Sequence, residues 1–316
     1  MKVFLTGGAG FIGSNMAQML LNKGFEVISI DNFDDFYDRS IKEENLAELN
    51  KSSKFKNIEG DIRDSGLIMD LFKEHNFDLV VHLAAKAGVR PSLEQPALYY
   101  DVNLNGTVNI LEAMKATGVK KMAFASSSSV YGNNKKVPFS EKDAVDHPIS
   151  PYAASKKAGE LLCHTYHHLH GFDISCLRFF TVYGPKQRPE MAIHNFVRKV
   201  DEGEAITMFG DGSSERDYTY IEDITQGIMA SIDNLGGYKI YNLGESNTIS
   251  LADLITEIEK ALSKKAIINQ LPMQPGDVNR TFADISIAKE EIGYSPTTPI
   301  KEGIPKFVAW YNSRKA

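Results

Sequence analysis

Apolar and polar positions follow a clear rhythm in the first half of the chain and a looser one afterwards. Lys2-Val3-Phe4-Leu5-Thr6 is a short apolar run of the kind a buried strand shows. Glycines then break the pattern. From Ser14 to Lys23 the spacing of Met16, Met19 and Leu20 predicts a helix that stops at Gly24. Phe25 to Ile30 predicts a second strand, closed by Asp31. Lys120 to Ala125 and Asp173 to Phe180 predict further strands. Val102, Leu104, Val108, Leu111, Ala113 and Met114 suit one long helix from Val102 to Lys115, entered from Pro91 to Tyr100. Residues 32–56 are polar, with acidic and basic runs that predict a loop and a solvated helix. Beyond Phe180 the segments shorten and helices and strands mix. That predicts a smaller lobe built discontinuously, with no internal repeat and with a loop at Pro272 to Gly276.

The glycines sit where the first strand meets the first helix. Gly7-Gly8-Ala9-Gly10-Phe11-Ile12-Gly13 completes a strand–turn–helix–strand unit. Small residues there let the backbone approach a pyrophosphate, and the free N–H groups of the helix N-terminus meet its charge. Asp31 ends the second strand, where a carboxylate can accept bonds from ribose hydroxyls and repel a 2′-phosphate. NAD is therefore expected rather than NADP. A second chemical feature is Tyr152-Ala153-Ala154-Ser155-Lys156, preceded by the serine run Ser126 to Ser129. Tyr and Lys four apart share a helix face. A lysine ammonium beside a phenol lowers its pKa from about 10 toward neutrality, so that the phenol can act as a general base.

Composition narrows the classes. The 316 residues are 42% hydrophobic and 24% charged, with a net charge of −6, which predicts no draw toward nucleic acid. No apolar stretch reaches membrane-spanning length, and the glycines come too early for a signal peptide. Cys163 and Cys176 are too few for a disulfide framework, which favours the cytoplasm. His164, His167, His168 and His170 lie close together, but nothing at convincing spacing completes a metal site, so none is expected.

The glycine spacing, Tyr152 with Lys156, and the segment Arg178-Phe179-Phe180-Thr181-Val182-Tyr183-Gly184-Pro185 resemble the NAD-dependent nucleotide-sugar epimerases and dehydratases of the extended short-chain dehydrogenase/reductase family. The resemblance covers nearly the whole chain. It implies a Rossmann-type doubly wound parallel sheet, mainly residues 1–178, that binds NAD and carries the catalytic groups. A mixed substrate-binding lobe follows, mainly residues 179–316, with some segments returning to the first. It implies Ser127, Tyr152 and Lys156 as the catalytic set, with Ser128 and Ser129 as rivals to Ser127. It implies cofactor contacts from Gly7, Gly10, Phe11, Ile12, Gly13, Asp31, Asn32, Asp61, Ile62, Leu83, Ala84, Ala85, Lys86, Asn103, Tyr152 and Lys156. Asp61 would bond the adenine edge. It implies a homodimer packed through the long helix and the Tyr152 helix.

Substrate contacts are expected from Arg90, Ser127, Ser128, Thr181, Arg188, Met191, Arg216, Asp277 and Arg280. Arg216 and Arg280 suit a diphosphate, because guanidinium matches phosphate oxygens in two-pronged fashion. Asp277 could hold the nucleoside ribose. Thr181 stands where most of the family carries Asn, a mark of its glucuronate-acting group. Ser127-Ser128-Ser129 replaces the Thr-Asp-Glu that a dehydratase of the family would place before Val-Tyr-Gly. The resemblance thus implies inversion at C4 of a UDP-sugar, UDP-glucuronate to UDP-galacturonate, through a 4-keto intermediate. The alternatives are UDP-glucose or a UDP-N-acetylhexosamine as substrate, decarboxylation of UDP-glucuronate, and a non-catalytic NAD(H)-sensing protein.

Overall fold

The computed structural model describes residues 1–272 and 280–315. In chain order the first elements are β1 (Lys2–Thr6), α1 (Phe11–Asn22), β2 (Glu26–Asp31), α2 (Arg39–Ala47), β3 (Phe55–Glu59), α3 (Ser65–His75) and β4 (Leu79–His82). Then come α4 (Val89–Glu94), α5 (Pro96–Tyr100), a π-helical turn (Asp101–Asn105), α6 (Gly106–Thr117) and β5 (Lys121–Ser127). A 3₁₀ turn (Ser128–Tyr131), α7 (Pro151–His170) and β6 (Asp173–Phe179) follow.

The second half holds β7 (Thr181–Tyr183), α8 (Ala192–Glu202), β8 (Ala205–Phe209), β9 (Glu215–Arg216), β10 (Tyr218–Tyr220), α9 (Ile221–Asp233) and β11 (Tyr238–Leu243). It ends with β12 (Ile249–Ser250), α10 (Leu251–Leu262), β13 (Ile267–Leu271), α11 (Ser286–Ile292) and α12 (Ile300–Ser313).

Seven strands form one sheet in the order β11-β6-β5-β4-β1-β2-β3. The pairs β3–β2, β2–β1, β1–β4 and β4–β5 are parallel. Strand order reverses between β1 and β4, which leaves a crevice at their carboxyl ends, the usual ligand position in such sheets. Val3, Phe4, Leu5, Val80 and Val81 are fully buried, as strands covered on both faces require. Below them the Phe4 ring stands 5.0 Å from both Phe72 and Phe77.

Two compact units result. The first comprises Met1–Asn133, Lys142–Arg178 and Ile228–Tyr241; the second comprises Asn134–Glu141, Phe179–Gly227 and Asn242–Ala316. In the second unit three short ribbons, β10–β7, β12–β9 and β13–β8, lie among α8, α10 and α12. His194 of α8 packs its ring 5.5 Å from Phe307 of α12. No helix among the described residues is long and apolar enough to cross a membrane.

Two elements depart from the expectation. The long helix is interrupted by the π turn at Asp101–Asn105. The polar segment after β2 is not merely solvated: α2 buries Lys42, Asn45 and Leu46 along one face, and β3 follows it. Charge density in the sequence concealed that face, because two of its three buried side chains, Lys42 and Asn45, are themselves polar.

Candidate active site

The glycine loop has the shape that a dinucleotide pyrophosphate needs. Gly7 has φ +74°, in the region that disfavours side chains. A Cβ on Gly13 would collide with the Gly7 carbonyl oxygen. Gly10 caps α1 without any side-chain bond, so the N–H groups of the first turn stay available. Phe11 opens the helix with its ring buried, and Ile12 follows on the half-buried side.

Asp31 stands beside this loop. Its Oδ2 accepts the Ala9 N–H at 3.1 Å and its Oδ1 the Phe33 N–H at 2.9 Å. Lys42, almost fully buried, brings its ammonium to 3.6 Å from Oδ1. Asn45 donates to the Ala9 carbonyl at 3.0 Å. The buried face of α2 therefore props the glycine loop from behind. Lys42 and Asn45 were missed in the sequence. Their spacing with Leu46, three and four residues on, was the available signal.

Asp61 carries more bonds than an adenine acceptor needs. Arg63 donates to it from Nε (3.0 Å), Nη2 (2.8 Å) and its backbone N–H (2.8 Å), and Asn32 adds a bond of 3.0 Å. Arg63 holds the Asp61 carboxyl down to about 2. All four lone-pair positions are thereby filled. Ile62 is buried, and its carbonyl accepts Asn109 Nδ2 at 3.0 Å.

At the end of β4 a directional chain begins. Leu83 and Ala84 donate their N–H groups to Thr6 Oγ1 at 3.1 and 3.0 Å. Thr6 Oγ1 lies 2.7 Å from His82 Nδ1, and His82 Nε2 lies 3.0 Å from Thr107 Oγ1. Thr107 spends its one proton on the Asn103 carbonyl at 2.7 Å, so His82 donates from Nε2 and accepts at Nδ1. Burial pushes His82 down to about 3, with Lys156 adding to the effect, so the ring is neutral.

Asn103 sits in the π turn. Its Oδ1 accepts the Lys86 N–H at 2.8 Å, while Nδ2 donates to the Lys86 carbonyl at 3.1 Å and to Ser155 Oγ at 2.9 Å. Lys86 in turn grips Asp34 at 2.9 and 3.1 Å. Leu83, Ala84, Ala85 and Lys86 are half-buried along this edge. Such π turns commonly mark functional positions.

The proposed catalytic groups lie on β5 and α7. Ser127 ends β5 and caps the 3₁₀ turn, accepting the Ser129 N–H at 3.2 Å. Its Oγ lies 2.5 Å from Ser129 Oγ, and Ser128 between them is half-buried. Ser150 caps α7 through the Ala153 N–H at 3.1 Å, which places Tyr152 in the first turn. The Tyr152 ring meets Tyr99 edge-on at 6.3 Å. One turn later Lys156 is buried and donates to the Ala125 carbonyl at 2.8 Å. Burial brings its ammonium down to about 8, so it remains a cation at neutral pH. Arg90 is exposed at the start of α4 in the same unit. In the histidine cluster, His167 Nδ1 donates to the Phe172 carbonyl at 2.7 Å and His164 packs 5.1 Å from Tyr238.

The second unit carries the other expected substrate residues. Thr181 opens β7, half-buried, its N–H bonded to the Asp217 carbonyl at 3.2 Å. Arg188 is ion-paired with Glu190 at 3.2 Å, and its carbonyl accepts the Met191 N–H at 3.2 Å as α8 begins. Arg216 and Arg280 come together around Glu215: Arg280 is ion-paired to Glu215 at 2.6 Å, and Arg216 donates to the Glu215 carbonyl at 2.9 Å. Asp277 and the Pro–Gly loop from 273 to 276 lie outside the described residues.

Two carboxylates of this unit escaped the sequence reading. Asp217 accepts backbone N–H groups from Glu245 (2.8 Å), Ser246 (3.1 Å) and Ala283 (3.1 Å), which pins two loops to β9 and β10. Burial raises Asp217 to about 6 and Glu245 to about 8, the latter with Asp223 and Asp217 adding repulsion.

Comparison with known proteins gives concordant results. A family model described as GDP-mannose 4,6 dehydratase matches residues 4–307. A UDP-glucuronate 4-epimerase of Thermodesulfobacterium geofontis is 47% identical over 97% of this chain and 94% of its own. The crystal structure of UDP-glucuronic acid 4-epimerase from Bacillus cereus, in complex with UDP-glucuronic acid and NAD, is 38% identical with a TM-score of 0.93 over 99% of this chain and 100% of that one. UDP-glucose 4-epimerase from Thermotoga maritima with UDP-glucose is more distant in sequence, at 30% identity, with a TM-score of 0.92 over 100% of both chains.

Proposed function

The chain belongs to the family of NAD-dependent nucleotide-sugar epimerases and dehydratases, and we propose that within it this protein inverts C4 of UDP-glucuronate to give UDP-galacturonate. NAD is its cofactor, and the glycine cradle, the uncapped N-terminus of α1 and the Asp31 carboxylate fit that group. When bound it supplies the acceptor and donor of the C4 hydride.

The observation that carries the reading is the placement of three groups on adjoining elements of one unit: Ser127 at the end of β5, Tyr152 in the first turn of α7 and buried Lys156 one turn on. Tyr152, as phenolate, takes the proton of the C4 hydroxyl. Lys156 holds that phenolate with its charge, and the Ala125 carbonyl holds Lys156. The Ser127 hydroxyl orients the C4 oxygen, with Ser129 as its partner. After the 4-keto sugar turns over, Tyr152 returns the proton to an oxygen on the opposite configuration. Arg216 and Arg280 receive the diphosphate.

The carboxylate sets a further demand. Oxidation at C4 of glucuronate makes a β-keto acid, which loses CO₂ when its carboxylate bond stands perpendicular to the ketone. Thr181, Arg188 and Arg90 are the groups we assign to hold it away from that geometry. We also propose a cytoplasmic homodimer, supported by Leu161 and Leu169 exposed on α7 and by two free cysteines. Sedimentation of the pure protein tests the dimer.

The test of the activity is direct. Incubation with UDP-glucuronate, UDP-glucose and UDP-N-acetylglucosamine, followed by NMR of the products, is expected to give UDP-galacturonate from the first. Tyr152→Phe is expected to lose turnover by several powers of ten while keeping both ligands. A 4-keto-pentose product, or full turnover in Tyr152→Phe, refutes the reading.

A further inference from the structure

We propose that the buried Glu160–Arg178 pair is a positioning device for the reaction: together with Ser126 it fixes how far α7 slides along β5, and so the separation of the Tyr152 phenol from the Ser127 hydroxyl. The inference rests on the roles given to those two residues above.

Three contacts tie the helix to the strand. A Cβ on Gly159 would stand 2.5 Å from the Phe124 ring, so α7 lies directly on that ring. Lys156 donates to the Ala125 carbonyl at 2.8 Å. Ser126 Oγ donates to Glu160 Oε1 at 2.7 Å. Phe124, Ala125 and Ser126 are consecutive on β5, and Lys156, Gly159 and Glu160 share one helix face at positions i, i+3 and i+4. A shift of α7 along the strand therefore disturbs all three contacts.

Arg178 of β6 holds the Glu160 end of this set. Its Nε and Nη2 grip Glu160 at 2.8 and 2.9 Å in the two-pronged geometry of guanidinium on carboxylate. Its Nη1 donates to Tyr131 Oη at 3.0 Å, with the guanidinium 4.9 Å from that ring. Tyr131 ends the 3₁₀ turn that begins after Ser127. Arg178 thus restrains the chain before Ser127, through Glu160 and Ser126, and after it, through Tyr131. Tyr238 Oη adds a bond to the Glu160 carbonyl at 3.0 Å, and Lys157 stands 3.4 Å from Glu160 Oε2.

Stability alone does not explain a charge pair in this place. Glu160 and Arg178 are 0% and 1% exposed. Removing two charges from water costs so much that apolar pairs of similar volume often serve as well or better. What an apolar pair cannot supply is direction: the four bonds from Ser126 to Glu160, from Arg178 to Glu160 twice and from Arg178 to Tyr131 fix the relative placement of β5, β6 and α7. Burial pushes the Glu160 carboxyl up, but Arg178 holds it below its ordinary value, so the clasp persists at neutral pH.

The experiment compares wild type, Ser126→Ala and the double variant Glu160→Met with Arg178→Met. Each is measured for thermal midpoint, for kcat and KM on UDP-glucuronate, and for the pH dependence of kcat. The double variant is expected to stay folded, lose about a hundredfold in kcat and keep KM within about threefold, as a displacement near 1 Å would do. Its rising pH limb is expected to move to higher pH, because Lys156 loses its seat beside Tyr152. Ser126→Ala is expected to lose about tenfold in kcat with the same sense of pH shift.

A folded double variant with wild-type kcat and an unmoved pH limb overturns the inference. If the double variant does not fold, Ser126→Ala decides: wild-type kcat and pH dependence there overturn it equally. An inert wild type overturns the functional reading and this inference with it, whereas an active wild type with unchanged variants overturns the positioning alone.

Discussion

Asp31 shows how one side chain can serve three neighbours. It holds the Ala9 and Phe33 N–H groups and also balances the buried Lys42. Asp31→Ala removes the repulsion toward a 2′-phosphate and leaves the Lys42 cation without its carboxylate. NADP affinity is therefore expected to rise relative to NAD by about tenfold or more. Titration of both nucleotides checks this, and a wild type that prefers NADP would contradict the role of Asp31. Arg188 is the second decisive residue. Arg188→Ala is expected to weaken UDP-glucuronate ten- to a hundredfold more than UDP-glucose, at about 1.5–3 kcal/mol for a charge-assisted bond. The released fraction of 4-keto-pentose should rise with it. Equal weakening of both sugars would place Arg188 at the diphosphate instead.

Among the elements, the π turn at Asp101–Asn105 was the least legible in the sequence. Val102, Leu104 and Val108 read as an unbroken helical face, and nothing in that spacing marks an extra residue in the turn. Within the turn Asn103 binds the backbone of Lys86, 17 residues earlier in the chain. Asn103→Ala leaves a half-buried N–H and a carbonyl of Lys86 without their partner. A loss of about 1–3 kcal/mol in denaturant unfolding is expected, together with weaker NAD binding. Unchanged stability would show that the turn does not depend on that side chain.

The strand–glycine–helix unit was legible because its chemistry is local: Gly7 to Gly13 and Asp31 lie within one supersecondary motif. Lys42, Asn45 and Glu160 were not, because a buried polar residue looks like a solvated one until its partner is known. Arg178 carried a usable hint, a guanidinium inside the apolar run Cys176-Leu177-Arg178-Phe179.

For the molecule as a whole, the division into units follows long-range pairing rather than composition. Asn134–Glu141 belongs to the second unit, where Phe139 accepts the Asp284 N–H at 2.9 Å and donates to the Phe282 carbonyl at 2.7 Å. No change of residue type announces that exchange. The same unit carries a pH liability. Burial pushes the Glu245 carboxyl up to about 8, and its Oε2 has no hydrogen-bond partner among the described residues. A carboxyl whose folded value is raised contributes stability while it keeps its proton, fully below the unfolded value, and that contribution is lost as pH rises through the folded value. The thermal midpoint is therefore expected to fall between about pH 4.5 and pH 8 and to level off above that, and Glu245→Gln should flatten the slope. An equal slope in wild type and Glu245→Gln would remove Glu245 as its source.

The chain from Leu83 and Ala84 through Thr6, His82 and Thr107 to Asn103 has a consequence in time rather than in energy. Every donor in it points one way, and no member can turn without reversing its neighbours. The His82 ring is therefore locked in a single tautomer, and its one proton, on Nε2, is shielded from solvent by full burial. That proton should give a sharp downfield resonance that survives long exposure to heavy water and does not move between about pH 5 and 9. Because the chain starts at the backbone of Leu83 and Ala84, beside the cofactor crevice, the line should shift when NAD binds. A resonance that exchanges within seconds, or that titrates near neutrality, would mean the chain is not closed. If it behaves as expected, His82 reports cofactor occupancy in the intact protein without any label at the site.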